Sequence, residues 1–231
     1  MEITKIFRKY PYSDRESRNK FIAAEFGQWL GASVLNIGGG GRHHLKKYLA
    51  ADKQYFELDI DGDPDLKINL ETDLPLPVAD RQYQTVVCTD VLEHLDNLHR
   101  VFGEIVRISG KYIILSLPNA FADCPSYFLG KPYQNDSIER KKHFGKYMKY
   151  YGLPYEPPPD RHKWFFSFTE AEEFIDYQIH KYNLKLVTAM AIERESNLPG
   201  RVATRLLCLL GGRNLGKDLS LKTIWCVFER Q

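Results

Sequence analysis

The sequence predicts an α/β fold: a mostly parallel sheet with helices on both faces and an antiparallel edge at its C-terminal end. Three observations lead there. Short apolar runs of strand length alternate with longer segments that carry apolar residues on one side. The run Ser33–Val34–Leu35–Asn36–Ile37 stops at four glycines, Gly38 to Gly41, as a buried parallel strand does when it feeds a tight loop. The chain closes on two strand-like runs, Leu184–Ile192 and Thr223–Phe228, which suits an antiparallel end to an otherwise parallel sheet.

Each element has its own signal. Asp14–Leu30 reads as an amphipathic N-terminal helix (14–30), with Phe21, Ile22, Phe26, Trp29 and Leu30 on one side. Strands are expected near 33–37, 54–59, 84–89 and 111–117, and helices near 42–50 and 93–108. Thr169 and Glu172 have the spacing of a capping box, opening a helix that runs to about Tyr182. About six residues separate Asp59 from a third strand near Leu66–Asn69, whereas a parallel crossover normally needs a dozen or more. Asp61–Gly62–Asp63–Pro64 supports a turn there in place of a helix.

The chemistry starts at the glycines. A strand, a loop without side chains and a following helix start would let a ligand lie against backbone and meet free N–H groups. Tyr55–Phe56–Glu57–Leu58–Asp59 then ends a second strand in a carboxylate, placed to hold the two hydroxyls of a ribose. Loop and acid together point to an adenosine-type ligand. A purely structural turn is the plainer alternative. A dinucleotide site is the other, and its third glycine position is His43 here.

Composition bounds the remaining classes. A chain of 231 residues buries roughly 70–75% of its unfolded surface, enough for one substantial core, and 1–231 is read as a single domain. With 32 Lys+Arg against 30 Asp+Glu, a strongly electrostatic nucleic-acid binder is disfavoured. Cys88, Cys124, Cys208 and Cys226 have no metal-ligand spacing, so no metal is expected, and Cys88 and Cys226 read as buried thiols. No signal peptide or membrane-spanning run is seen, so a cytoplasmic location is the default expectation.

Further motifs follow in order. Ile68–Asn69–Leu70–Glu71–Thr72–Asp73–Leu74–Pro75–Leu76–Pro77 leads into a strand and then Leu92–Glu93–His94–Leu95, and a later strand ends in Pro118–Asn119. With the glycine loop, this series resembles the class I S-adenosylmethionine-dependent methyltransferases, especially their small-molecule branch, over roughly residues 33–120. The resemblance implies a Rossmann-like fold and S-adenosylmethionine as cofactor. It implies cofactor contacts at Asn36, Gly38, Gly39, Gly40, Asp59, Ile60, Asn69, Leu70, Thr89, Asp90 and His94. Asn36 stands where the family usually has an acid, Arg42 where it has its third glycine, and Asn69 where it has an acid near the adenine.

The acceptor side is expected in Ala120–Lys163, a long segment rich in aromatics and prolines that would form a substrate lid (120–163). Asn119, Tyr155, Asp160, Arg161 and Trp164 are the substrate-binding candidates, and His162 is the candidate general base. A second insertion, 193–220, contains the mixed basic and apolar run Arg201–Leu210. The expected reaction is methyl transfer to an oxygen or nitrogen of a small, sugar-like molecule. A non-catalytic binding protein and a nicotinamide-dependent oxidoreductase are the alternatives.

Overall fold

The computed structural model describes residues 1–123, 162–194 and 214–231. Its strands are β1 (Lys5–Phe7), β2 (Ser33–Ile37), β3 (Gln54–Asp59), β4 (Leu66–Lys67), β5 (Tyr83–Thr89), β6 (Ser109–Pro118), β7 (Leu184–Glu193) and β8 (Leu221–Arg230). The helices are α1 (Arg15–Phe26), α2 (Leu98–Ile108) and α3 (Phe168–Tyr182), with a further helical segment, α4, at 214–220.

All eight strands join one sheet in the order β1-β7-β8-β6-β5-β2-β3-β4. Only β8 runs antiparallel to its neighbours, β6 and β7; the other pairings are parallel. From β2 the chain winds outward through β3 and β4, and from β5 it winds the other way through β6. The order therefore reverses between β2 and β5. In open α/β sheets the crevice at the carboxyl ends of the two strands flanking such a reversal is where ligands bind.

The faces are packed differently. On one face, Leu98, Val101, Phe102, Ile105 and Ile108 of α2 and Phe168, Ala171 and Ile175 of α3 join the inward residues of β2, β5, β6 and β8. The spacing is that of a helix with a single apolar stripe. On the other face, Phe21, Ile22 and Phe26 of α1 surround Trp225 of β8, with Phe26 stacked on the indole at 5.4 Å and Phe21 edge-on at 5.3 Å.

Several elements depart from the sequence expectation. The segment 42–50 forms only a short 3-10 turn, Leu45–Tyr48. His43 ahead of it has φ 50°, and so short a segment gains too few hydrogen bonds to nucleate a longer helix. The expected helix 93–108 divides into a 3-10 turn, Leu92–His94, and α2. The N-terminal helix ends at Phe26 and continues as a 3-10 turn, Gly27–Trp29. The cap of α3 is Ser167 rather than Thr169: its hydroxyl accepts from the Glu170 N–H, and Glu170 reaches back to the Ser167 N–H. β1 was not expected, because three residues carry little periodicity. The third strand exists as β4, with no helix before it.

Candidate functional site

The glycine loop leaves β2 at the point where the strand order reverses. Gly38 and Gly40 have φ 72° and 95°, backbone that side chains other than glycine rarely adopt. A Cβ on Gly38 would lie 2.2 Å from Val91 Cγ2, so the loop is pressed against the turn that follows β5. Gly41 serves a different purpose. A Cβ there would lie 2.1 Å from the Asp61 carbonyl, and Gly41 O accepts from the Asp63 N–H at 2.9 Å. The fourth glycine thus seats the β3–β4 connection against the loop.

The carboxylates of β3 hold this loop. The Gly40 N–H donates to Asp59 Oδ2 at 2.6 Å, and the Arg42 N–H to Glu57 Oε1 at 3.3 Å. The Gly40 and Arg42 N–H groups therefore face acids, and no α-helix starts behind the loop. Asn36 pairs in register with Glu57 across β2 and β3. Its amide donates to the Tyr55 hydroxyl at 3.0 Å, which donates to Glu57 Oε2 at 2.7 Å. Burial and then Glu57 raise the Tyr55 phenol, so it stays protonated as that donor. The buried Glu57 carboxylate thus lies beneath the loop.

The other wall comes from β5 and α1. Thr89 is buried at the end of β5, and Asp90 follows with φ 53°. Arg18 of α1 donates to Asp90 Oδ2 at 2.7 Å, while the Ser116 hydroxyl donates to Asp90 Oδ1 at 2.6 Å. Burial works against the charge on Arg18, but Asp90, Tyr12 and Glu93 outweigh it and hold the guanidinium above its ordinary value. Arg15 of α1 lies over the loop; a Cβ on Gly40 would come within 2.7 Å of its Nη1. Arg15, Lys20, Arg42, His44 and Tyr48 line a groove of about 590 Å³ between α1 and the 42–48 segment.

A second cluster lies on the turn after Asp90. The backbone N–H groups of Lys163 and Trp164 donate to the Glu93 carbonyl at 2.8 and 3.3 Å. The Trp164 indole donates to the Leu95 carbonyl at 2.6 Å. Lys163 Nζ reaches Glu71 at 2.5 Å and Asp96 at 2.7 Å. These ties dock the chain at 162–164 onto the turn at 92–96. As a result the His162 ring stands edge-on to His94 at 4.5 Å. Glu93 Oε1 lies 3.8 Å from His94 Nε2 and 3.9 Å from His162 Nε2. The Glu93 and His162 side chains are 0% and 2% exposed, and His94 is 24% exposed.

The remaining candidates fall as follows. Ile60, 51% exposed, projects an apolar side chain beside Asp59. Asn69 and Leu70 lie in the segment after β4. The Asn69 side chain accepts from the Glu71 N–H, and the Leu70 carbonyl accepts from Asn97. Asn119 is buried with its amide donating to the Asp218 and Leu221 carbonyls and its oxygen accepting from Phe121 and Ala122. Both ends of that amide hold backbone. Tyr155, Asp160 and Arg161, and most of 120–163 and 193–220, lie outside the described residues. Arg15, Arg18, Glu57 and Glu93 were not among the sequence candidates. Glu93 was legible only as the neighbour of His94, and the others required the packing of α1 and β3. No metal was expected from the cysteines, but Glu93, His94 and His162 offer ligand atoms within 4.8 Å of one another. Cysteine spacing could not reveal a set drawn from two distant segments.

Comparison with known proteins bears on the fold. No family model matches the sequence, and no curated protein sequence matches it. Solved structures do match. The methyltransferase domain of bacterial CtHen1-C superposes with a TM-score of 0.54 at 13% identity, covering 94% of this chain and 98% of that one. The small RNA methyltransferase HEN1 gives 0.56 at 12% identity, over 96% of this chain and 26% of that one. The [4+2]-cyclase SpnF gives 0.51 at 10% identity, over 97% and 86%. The chain therefore has the Rossmann-like fold of class I methyltransferases, with the antiparallel strand in its C-terminal part. Among the described residues no helix is long and apolar enough to cross a membrane.

Proposed function

We propose that this protein is an S-adenosylmethionine-dependent methyltransferase acting on an oxygen or nitrogen of a small polar acceptor. The observation that carries the reading is the placement of the glycine loop at the strand-order reversal, tied to Asp59 and pressed against the turn that leads to the His94–His162 pair. The residues present fit the cofactor. Gly38 and Gly40 hold positive φ where a Cβ would strike Val91 and Arg15, so the loop presents bare backbone to a ligand. The Asp59 carboxylate has lone pairs beyond those given to the Gly40 and Asp61 N–H groups, enough to accept from a ribose diol. Ile60 offers an apolar face for a base. Gly39, Thr89, Asp90, Asn69, Leu70 and His94 complete the assigned contacts, with Asn36 beneath Gly39.

When bound, S-adenosylmethionine supplies a methyl group on a sulfonium, a leaving group that needs no acid. The protein is left to align the acceptor and exclude water. Trp164 and the residues Tyr155, Asp160 and Arg161 are proposed to contact the acceptor. His162 is proposed to take its proton as general base. The near balance of 32 basic and 30 acidic residues supports a small acceptor over a polyanion.

Titration calorimetry with S-adenosylhomocysteine and with NAD tests the reading. The expected result is binding of the former alone, weakened at least about tenfold by Asp59→Ala, since each charge-assisted hydrogen bond is worth roughly 1.5–3 kcal/mol. NAD binding in its place would install the oxidoreductase alternative. S-adenosylhomocysteine binding with no turnover across an acceptor panel would favour the non-catalytic one.

A further inference from the structure

We propose that Glu93, His94 and His162 bind a divalent transition-metal cation, and that this cation holds the acceptor oxygen beside the methyl donor. The role given to the cation rests on the methyltransferase reading above; the binding itself does not.

The donor set comes first. One carboxylate oxygen and two imidazole nitrogens converge within 4.8 Å of one another. Bonds to a first-row cation are about 2.0–2.2 Å, so the ligand atoms need to draw in by about 1 Å. Two imidazoles and one carboxylate suit Mn²⁺, Co²⁺ or Zn²⁺ rather than Mg²⁺ or Ca²⁺, which prefer all-oxygen shells. Three protein ligands also leave coordination positions open, as a site that must admit substrate requires.

The way the cluster is assembled is the second argument. His162 and His94 are 68 positions apart in sequence, and the fold joins them through several separate ties. The Lys163 and Trp164 amides bind the Glu93 carbonyl itself, and the Trp164 indole binds Leu95. Lys163 Nζ pairs with Glu71 and Asp96 on the same side. The set is graded in exposure, with Glu93 and His162 buried and His94 partly open. A cation there would be held from within and approached from one side. It would lie next to Asp90, whose own carboxylate is engaged by Arg18 and Ser116, leaving Glu93 as the acid of the site.

Coordination would lower the pKa of an acceptor hydroxyl, as it does for bound water. The acceptor O–H bond breaks and its proton passes to bulk water. The new O–CH₃ bond forms as the S–CH₃ bond breaks, and that electron pair stays on sulfur. Nothing is oxidised or reduced. In this scheme His162 acts as a ligand, and the acceptor class is a hydroxyl compound rather than an amine.

The test is cation binding by the full chain after chelator treatment. Co²⁺ is titrated by visible absorption and Mn²⁺ by electron paramagnetic resonance. One ion per chain is expected. Glu93→Gln, His94→Ala and His162→Ala should each weaken binding by more than the about 10–100-fold typical of losing an outer-shell partner. His180→Ala, on the exposed side of α3, should not change it. Because Glu93 is buried and its variant could lose structure, the partly exposed His94 carries the comparison, with circular dichroism on every variant. Absence of Co²⁺ and Mn²⁺ binding by the parent protein overturns the proposal. So does equal binding by the parent and a folded His94→Ala. Calorimetry with S-adenosylhomocysteine separates the two readings: loss of cofactor binding in the parent removes the methyltransferase assignment while cation binding stands or falls alone.

Discussion

Arg18 joins the N-terminal helix to the carboxyl end of β5 through one ion pair. Its side chain is 12% exposed and that of Asp90 22%. Removing one partner of a fully buried pair costs about 3–5 kcal/mol, largely through the charge left behind; partial exposure here should bring the cost below that range. Arg18→Met is therefore expected to lower the denaturant midpoint without changing the slope of unfolding. An unchanged midpoint would mean that solvent already satisfies Asp90. Gly40 tests the loop instead. Valine at φ 95° is strained by roughly 1–3 kcal/mol, and Arg15 Nη1 would have to move from 2.7 Å. Gly40→Val should fold, since the loop lies beyond the sheet, yet lose its thermal shift with S-adenosylhomocysteine. A full shift in this variant would reduce the loop to a structural turn.

Among the elements, α2 is fastened by a charged cluster rather than by its apolar stripe alone. Arg107 donates to both Glu104 oxygens at 2.8–2.9 Å, to Asp80 at 2.7 Å, and to the Leu76 and Val78 carbonyls. Glu104 also accepts from the Leu76 N–H. The proline-rich segment before β5 is thereby tied to the helix. Hydrogen bonds from Arg107 lead the causes that hold the Glu104 carboxyl below its ordinary value, against the opposing effect of burial. A depressed acid stabilises the fold fully above its ordinary pKa, and that contribution is lost as pH falls through the folded value. Acid unfolding of Glu104→Gln should accordingly be shallower than that of the parent below about pH 4.5, with lower stability at pH 7. Parallel acid titrations followed by circular dichroism check this; identical pH dependence would show the cluster to be energetically idle.

The capping of α3 shows what the element signals can and cannot specify. Ser167–Glu170 and Thr169–Glu172 both have capping-box spacing. The first is used, because only then do Phe168, Ala171 and Ile175 share the buried stripe. Ser167→Ala should cost about 0.5–2 kcal/mol, and Thr169→Ala less, as measured by chemical denaturation. The 42–50 segment is the converse case. Its composition permits a helix, but His43 enters it with positive φ and only Leu45 is buried, so no packing rewards the extra turns.

Across the whole molecule, legibility follows sequence separation. The strand, glycine loop and acid proposed to hold the cofactor lie within 33–59, so their pattern is local and readable. The proposed acceptor side needs 162–164 docked on 92–96, a contact no local periodicity encodes. His94 and His162 could each be singled out, but not their meeting, nor the part of Glu93. The fold by itself is equally unspecific, since a [4+2]-cyclase matches it alongside methyltransferases; function has to be argued from the site. Linkage offers a direct measurement of that site in the intact chain. A ligand at one hundred times its Kd stabilises the folded state by about 2.7 kcal/mol. For a domain of this size each kcal/mol raises Tm by roughly 2–4 °C. Saturating S-adenosylhomocysteine should therefore raise Tm by about 5–10 °C, with Asp59→Ala shifting much less at the same concentration. A shift produced by NAD and absent with S-adenosylhomocysteine would transfer the crevice between β2 and β5 to a different chemistry.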